Sequence, residues 1–289
     1  NSVLTGHLTG AMMIAEESTA WPGVTKAPEE GGLGFTFKWN MGWMHDFLEY
    51  VKLDPYFRKY NHNRLTFGMT YAYSEKFILV LSHDEVVHLK CSMLGKMPGE
   101  YEDKFANLKV AYTFMMGHPG KKLLFMGQDF GQWSEWSEKR SLDWYLLGEP
   151  EHKGLWTYFK ALLHIYRKYP ACYALDQYPE GFFWINADDG DRSIYSFVRC
   201  SEDGKDNLLF VCNFTPVARP DYMVGVPQAG KYTLILDSSM KGQHIYTAVH
   251  TECDRQPYAV KYPLPAYGTA VFKFSKHTAK ATKKAKKHK

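Results

Sequence analysis

Phe77-Ile-Leu-Val-Leu-Ser-His-Asp-Glu-Val-Val-His88 is an apolar run of five residues that ends abruptly in Ser82 and the polar triplet His83-Asp84-Glu85. A short run without polar alternation reads as a strand buried on both faces, the kind found in a parallel sheet covered by helices. In such sheets the polar residues just past a strand's carboxyl end line the active site. The chemistry is therefore expected at His83 and Asp84.

The same pattern recurs on either side. Ala11-Met-Met-Ile-Ala15 stops at Glu16-Glu17-Ser18-Thr19, and Lys121-Lys-Leu-Leu-Phe-Met-Gly127 opens into Gln128-Asp129. Both are expected to be buried strands. Between them, Gly34-Phe-Thr-Phe-Lys-Trp39 alternates as a strand does. Trp43, Met44, Phe47, Leu48 and Val51 then fall at helical spacing, up to Asp54-Pro55, where proline excludes the preceding residue from helical geometry. Phe105, Leu108, Ala111, Tyr112 and Met115 predict an amphipathic helix, and Leu155, Phe159, Leu162 and Tyr166 a further one stopped at Pro170. Residues 1–180 thus supply four strands with helices after at least three of them. A closed eight-stranded barrel takes about 250 residues, so this is half of one.

From about Gly181 the pattern changes to short alternating runs separated by turn signals such as Asp188-Asp189-Gly190 and Asp203-Gly204. The runs at 183–185, 194–198, 208–214, 232–236 and 270–274 predict an antiparallel β-sandwich over residues 181–275. Residues 276–289 contain only Lys, His, Ala and Thr, which cannot build a core, and are expected to form a disordered tail. The expected fold class is α/β plus all-β: the C-terminal half of a (β/α)8 barrel followed by a β-sandwich domain.

Composition bounds the function. With 45% hydrophobic and 23% charged residues the chain is an ordinary globular one. No apolar stretch approaches the roughly 18 residues of a membrane span. The formal charge of +4 resides in the tail: seven lysines lie in 276–289, leaving 28 Lys and Arg against 31 Asp and Glu elsewhere. The body is mildly acidic, which gives no footing for nucleic-acid recognition. Five scattered cysteines without a C-x-x-C fit neither a disulfide framework nor a zinc site, and point to a reducing cytoplasm.

A lone carboxylate after a strand more often caps a loop than performs chemistry. Here the pattern recurs on three strands, so Glu16 and Asp84 become candidates for the carboxylate pair that glycosidic chemistry needs. His83 and His88 are five apart, whereas a metalloprotease helix needs its histidines at i and i+4, so no metal is expected. Ser18, Ser82 and Ser92 lack a nucleophile elbow, and no Gly-rich loop ending in G-K-[ST] is present, so no nucleotide cofactor is expected.

Several longer strings carry a specific resemblance. Ile14-Ala-Glu-Glu-Ser-Thr19, Gly34-Phe-Thr-Phe-Lys-Trp-Asn-Met-Gly-Trp-Met-His-Asp46, Leu81-Ser-His-Asp-Glu-Val-Val-His88, Lys96-Met-Pro-Gly99, Lys104-Phe-Ala-Asn-Leu108, His118-Pro-Gly-Lys-Lys-Leu-Leu-Phe-Met-Gly127 and Ser141-Leu-Asp-Trp144 resemble the 1,4-α-glucan branching enzymes of the α-amylase superfamily, glycoside hydrolase family 13. The match runs through about residues 10–170 and continues more weakly beyond. It implies that the four strands are the fifth to eighth of a catalytic barrel. Carried over by position, Glu16 matches the general acid/base, with Glu17 the second candidate. Asp84 matches the aspartate that holds the sugar hydroxyls and stabilises the transition state, and His83 the histidine that binds the same sugar. The implied reaction cleaves an α-1,4 bond of glycogen, amylose or starch and transfers the chain to a 6-hydroxyl, with retention of configuration. The acid is expected to have its pKa raised by burial beside a second carboxylate such as Asp84.

The sequence departs from the family in four places. The nucleophilic aspartate and its arginine, which belong to the fourth strand, have no counterpart, so this chain is expected to be a C-terminal fragment inactive alone. Leu89 stands where relatives usually carry glycine, Asp129 replaces a usual glutamate, and the lysine tail is foreign. A non-catalytic glucan-binding protein and an α-glucan hydrolase remain the alternatives.

Overall fold

The computed structural model describes residues 1–7 and 10–275; the tail expected over 276–289 lies outside the described residues. Strands β1 (Ile14–Ala15), β2 (Phe37–Trp39), β3 (Phe77–Leu81) and β4 (Lys121–Leu124) form one sheet in chain order, every pair parallel. Parallel neighbours require crossovers. Helix α1 (Met41–Val51) follows β2, α2 (Tyr101–Gly117) follows β3 and α3 (Pro150–Lys168) follows β4, while only a 3₁₀ turn at Pro28–Glu30 follows β1.

Local chemistry sets these boundaries. The Asn40 side chain accepts the Trp43 N–H at 2.9 Å and starts α1. A reciprocal capping box between Glu100 and Asp103 starts α2, and Pro150 occupies the first turn of α3.

The strands at the two edges are less buried than their apolar sequences predict. Ile14 is 44% exposed, and all four residues of β4 are only half-buried. Each has a sheet neighbour on one side alone among the described residues. Helix α2 departs in the opposite direction. It reads as amphipathic, yet Asn107, Leu108 and every residue of Val110–Gly117 are buried, because α2 packs on α3 and also on the strand Asn207–Asn213 of the following sheet.

From Phe182 onward the regular structure is all strand. The strands β5 (Phe182–Asn186), β6 (Ile194–Arg199), β7 (Asn207–Asn213), β9 (Lys231–Asp237), β10 (His244–Thr247) and β12 (Thr269–Phe274) make an antiparallel sheet in the order β10-β9-β12-β7-β6-β5. A two-stranded ribbon of β8 (Arg219–Val226) and β11 (Tyr258–Leu264) faces it, closing a second core around Val224, Val260 and Phe272. The sequence reading missed β8, β10 and β11. Proline interrupts β8 and β11, and β10 is a short, largely exposed edge strand, so none shows a clean apolar alternation.

The outer face of the large sheet is fused to the helices. Phe197 and Phe210 stack with centroids 5.2 Å apart, and Phe197 meets Phe114 of α2 edge-on at 5.7 Å. Gly117 permits this approach, since a Cβ there would lie 2.8 Å from the Phe197 ring. Fully buried Arg58 spans the junction, donating to Asn107 Oδ1 (2.8 Å), to the Phe214 carbonyl (2.7 Å) and to the Val51 carbonyl (2.8 Å).

His118 sits in this junction between Trp43, Phe114 and Phe182. Its Nδ1 bonds the Pro119 carbonyl at 2.9 Å, and Nε2 is buried without a hydrogen-bond partner among the described residues. Burial pushes its pKa down to about 3. The unfolded chain therefore binds one more proton than the folded chain between about pH 6.5 and 3, and folding stability falls as pH falls through that window. The slope due to this one group is at most about 1.4 kcal/mol per pH unit. Urea unfolding of His118→Phe at a series of pH values should show that slope reduced; an unchanged slope would remove His118 as its source.

Candidate active site

Glu16 follows directly on β1, and His83 and Asp84 follow β3 after Ser82, so both motifs stand at the carboxyl ends of strands in one parallel sheet. Only β2 separates them. The sheet order therefore brings together residues that are 67 and 68 positions apart in the chain.

His83 and Asp84 open a 3₁₀ turn, His83–Val86, with His83 Nε2 3.1 Å from Asp84 Oδ1 and both side chains nearly half exposed. Phe125, just past β4, lies behind the imidazole with ring centroids 5.9 Å apart. The Asp84 carboxylate is thus oriented by its neighbour and still open to a ligand.

The two glutamates after β1 differ in their commitments. Glu17 is ion-paired to Lys38 of β2 at 2.6 Å and accepts the Thr19 N–H at 2.7 Å. The Lys38 ammonium, aided by Thr19, holds the Glu17 carboxyl down to about 2. Such a group stays ionised at neutral pH and cannot serve as a proton donor there. Glu16 is exposed and makes no ion pair or hydrogen bond among the described residues. Glu16 lacks the burial expected of it, because it lies beside the sheet edge on which β1 has no further neighbour among the described residues.

Glu16 instead borders a cleft of about 520 Å³ with Ile14, Trp21, Leu33 and Phe35. Trp21 is 60% exposed and gives this cleft an aromatic wall, of the kind on which the flat C–H face of a sugar ring can lie. The loop carrying it is anchored by buried Glu75, which accepts the Val24 and Thr25 N–H groups at 2.9 and 2.8 Å. Burial alone would raise the Glu75 carboxyl, but bonds from Thr25, Val24 and Gly23 outweigh it and hold the pKa below the usual value.

Lys38 and Glu75 were not singled out from sequence. The available signal was a lysine inside the short apolar string Phe35-Thr-Phe-Lys-Trp39, where a charge needs a partner. Asp129 sits in the 3₁₀ turn Gln128–Phe130 beyond β4, and burial raises its carboxyl above the ordinary range.

The loop after Asp84 is strained. His88, Leu89 and Cys91 have φ values of 55°, 65° and 65°, in the left-handed region that L residues other than Gly, Asn and Asp rarely adopt. Each such residue costs roughly 1–2 kcal/mol. Leu89 is 95% exposed, so burial of its side chain does not offset this.

Residues 184–275 match the α-amylase C-terminal all-beta domain. An α-amylase from H. orenii superposes with a TM-score of 0.60 at 15% identity, over 93% of this chain and 54% of that one. A type I pullulanase from Bacillus subtilis superposes with a TM-score of 0.64 at 12% identity, over 95% of this chain and 41% of that one. These likenesses concern the fold alone. The sequence comparison is narrower. The chain is 58% identical over 282 residues to a 1,4-alpha-glucan branching enzyme GlgB of Butyrivibrio fibrisolvens, covering 95% of this chain and 44% of that protein. It is 48% identical over 285 residues to one from Gloeobacter violaceus, covering 94% of this chain and 38% of that protein. The chain is thus similar over nearly all of its own length to 1,4-alpha-glucan branching enzymes, and it spans less than half the length of these relatives.

Proposed function

We propose that this chain is the C-terminal portion of a cytoplasmic 1,4-α-glucan branching enzyme, in which Glu16 is the general acid/base, Asp84 stabilises the transition state and His83 binds the same sugar. The substrate is an α-1,4-glucan such as glycogen, amylose or starch. The observation that carries the reading is the placing of Glu16 and the His83–Asp84 pair at the carboxyl ends of one parallel sheet, with Glu17 held ionised by Lys38. Residues 1–180 form half of the catalytic (β/α)8 barrel in this reading, and residues 181–275 its C-terminal β domain.

A preceding segment of the whole protein supplies the other half-barrel against the open edge of β1, and with it the aspartate nucleophile. That aspartate attacks the anomeric carbon while Glu16 protonates the departing glycosidic oxygen, leaving a glycosyl ester. Glu16 then takes the proton from a 6-hydroxyl of an acceptor chain, whose oxygen displaces the aspartate and forms the α-1,6 bond. Only protons and a glycosyl group move, and no step calls for a cofactor.

The test is linkage analysis of amylose treated with the full-length enzyme. Branching raises the number of α-1,6 links without releasing reducing ends. A matching rise in reducing ends would make the protein a hydrolase, and unchanged linkages a non-catalytic glucan binder.

A further inference from the structure

The loop from Glu85 to Cys91 is held by two side chains from outside it. The Glu135 carboxylate accepts the Leu89 N–H at 3.1 Å with one oxygen and the Cys91 N–H at 2.7 Å with the other. The Lys96 ammonium donates to the Glu85 carbonyl at 2.6 Å, to the Cys91 carbonyl at 2.8 Å and to the Lys90 carbonyl. All three N–H donors of that ammonium are thereby used. Lys96 is 9% exposed, and its burial is compensated by these bonds to backbone. Beside them, the Trp136 N–H donates to the Val86 carbonyl at 3.0 Å, and Arg140 bonds the Glu135 carbonyl at 2.6 Å.

The two clamps act where the backbone resists. Leu89 and Cys91, the residues whose N–H groups Glu135 takes, both have φ of 65°. The carbonyl of Glu85, bonded by Lys96, belongs to the residue next to Asp84. Among the described residues no hydrogen bond or ion pair links Glu135 or Lys96 to His83 or Asp84, so their effect on a sugar bound there is exerted through the backbone.

We propose that Glu135 and Lys96 are positioning residues that hold the strained loop after β3 in the one conformation that keeps Asp84 in register with the reacting sugar. This rests on the branching-enzyme reading for its functional consequence, but not for the clamp itself. Leu89 makes the clamp more necessary in this chain: a left-handed leucine leaves that conformation when its N–H loses its acceptor, whereas glycine tolerates it.

The test uses the full-length enzyme with Glu135→Ala, Lys96→Met and the double variant Glu135→Ala/Leu89→Gly. Glu135→Ala and Lys96→Met are each expected to lower kcat by roughly 10–100-fold, the scale of an ångström-sized misplacement, with KM for amylose nearly unchanged. In Glu135→Ala/Leu89→Gly part of the lost kcat should return. Amide hydrogen exchange is read in parallel. It should quicken at residues 84–91 in the two single variants and stay unchanged in β3 and α2. Unaltered exchange in the loop, or exchange quickened equally throughout the protein, would overturn the proposal. So would an unaltered kcat in a parent enzyme that branches. If the parent shows no branching, the functional reading fails, and the exchange pattern still decides whether the clamp exists.

Discussion

Glu16→Gln in the full-length enzyme is expected to lower the branching rate on amylose by roughly 10²–10⁴-fold, the usual contribution of a general acid/base. The amide keeps the shape of the side chain and removes its proton. Two glutamates stand side by side in the sequence, and the geometry separates them. Glu17 is bound to Lys38 at 2.6 Å and held down to about 2, so its carboxylate is a fixed anion at neutral pH. Its loss would leave the buried Lys38 ammonium with the Thr19 carbonyl at 2.9 Å but no counter-ion and disturb the β1–β2 junction, which is a structural injury.

The two kinds of damage have different signatures. A glucosyl donor with a good leaving group needs little protonation, so formation of the glycosyl intermediate in Glu16→Gln should be largely restored with such a donor. Glu17→Gln should be no better with the activated donor than with amylose, and should lower the unfolding midpoint. Restoration in Glu17→Gln, with none in Glu16→Gln, would reverse the assignment.

Asp176→Ala is expected to destabilise the chain by roughly 3–5 kcal/mol, the cost of leaving one partner of a buried ion pair alone. Domains are commonly stable by only about 5–15 kcal/mol, so the loss is a large share of the total. Asp176 Oδ1 lies 2.7 Å from Arg199, which is fully buried on β6, and its Oδ2 lies 3.0 Å from Lys121 of β4. Arg199 also donates to the carbonyls of Gly117 (3.0 Å) and Gly181 (3.2 Å). This one carboxylate thus joins the parallel sheet, the end of α2 and the antiparallel sheet.

Burial by itself would raise the Asp176 carboxyl, but Lys122, Arg199 and Lys121 outweigh it and hold the pKa below the usual 3.8. Because the folded-state value is the lower one, the contribution is present above about pH 4, the unfolded value, and is lost as pH falls through the folded value. Urea midpoints should therefore show the full penalty of Asp176→Ala at pH 7 and a smaller one in strong acid. Asp176→Leu combined with Arg199→Met should recover part of the loss, since the fully buried Arg199 is then not left as a bare ion, while Lys121, which also loses its partner, is partly exposed. A double variant as unstable as Asp176→Ala would show that packing, not charge, accounts for the effect.

Much of the site was legible because strand ends in a parallel sheet are marked twice, by a buried apolar run and by the polar residues that stop it. Phe77–Leu81 followed by His83-Asp84 reads this way without any structure. The antiparallel strands that failed to read, β8 and β11, carry proline, and β10 has little buried surface to impose alternation. Periodicity reports burial on one face and misjudges its extent where an element is covered on all sides, as α2 is, or on few, as β1 is.

The amino-acid sequence by itself determined which buried apolar runs end in polar residues, that Glu16, His83 and Asp84 are the residues to test, and which family's motifs the chain resembles. Tertiary structure decided the rest. It committed Glu17 to Lys38, left Glu16 open at an unpaired sheet edge, bound the strained turn after Asp84 to Glu135 and Lys96, and fused the two halves through Arg58, Asp176 and Arg199. These are contacts between residues 5 to 156 positions apart. Local sequence encodes the geometry of an element through nearest neighbours, whereas the partner of a buried charge is fixed only when the elements pack.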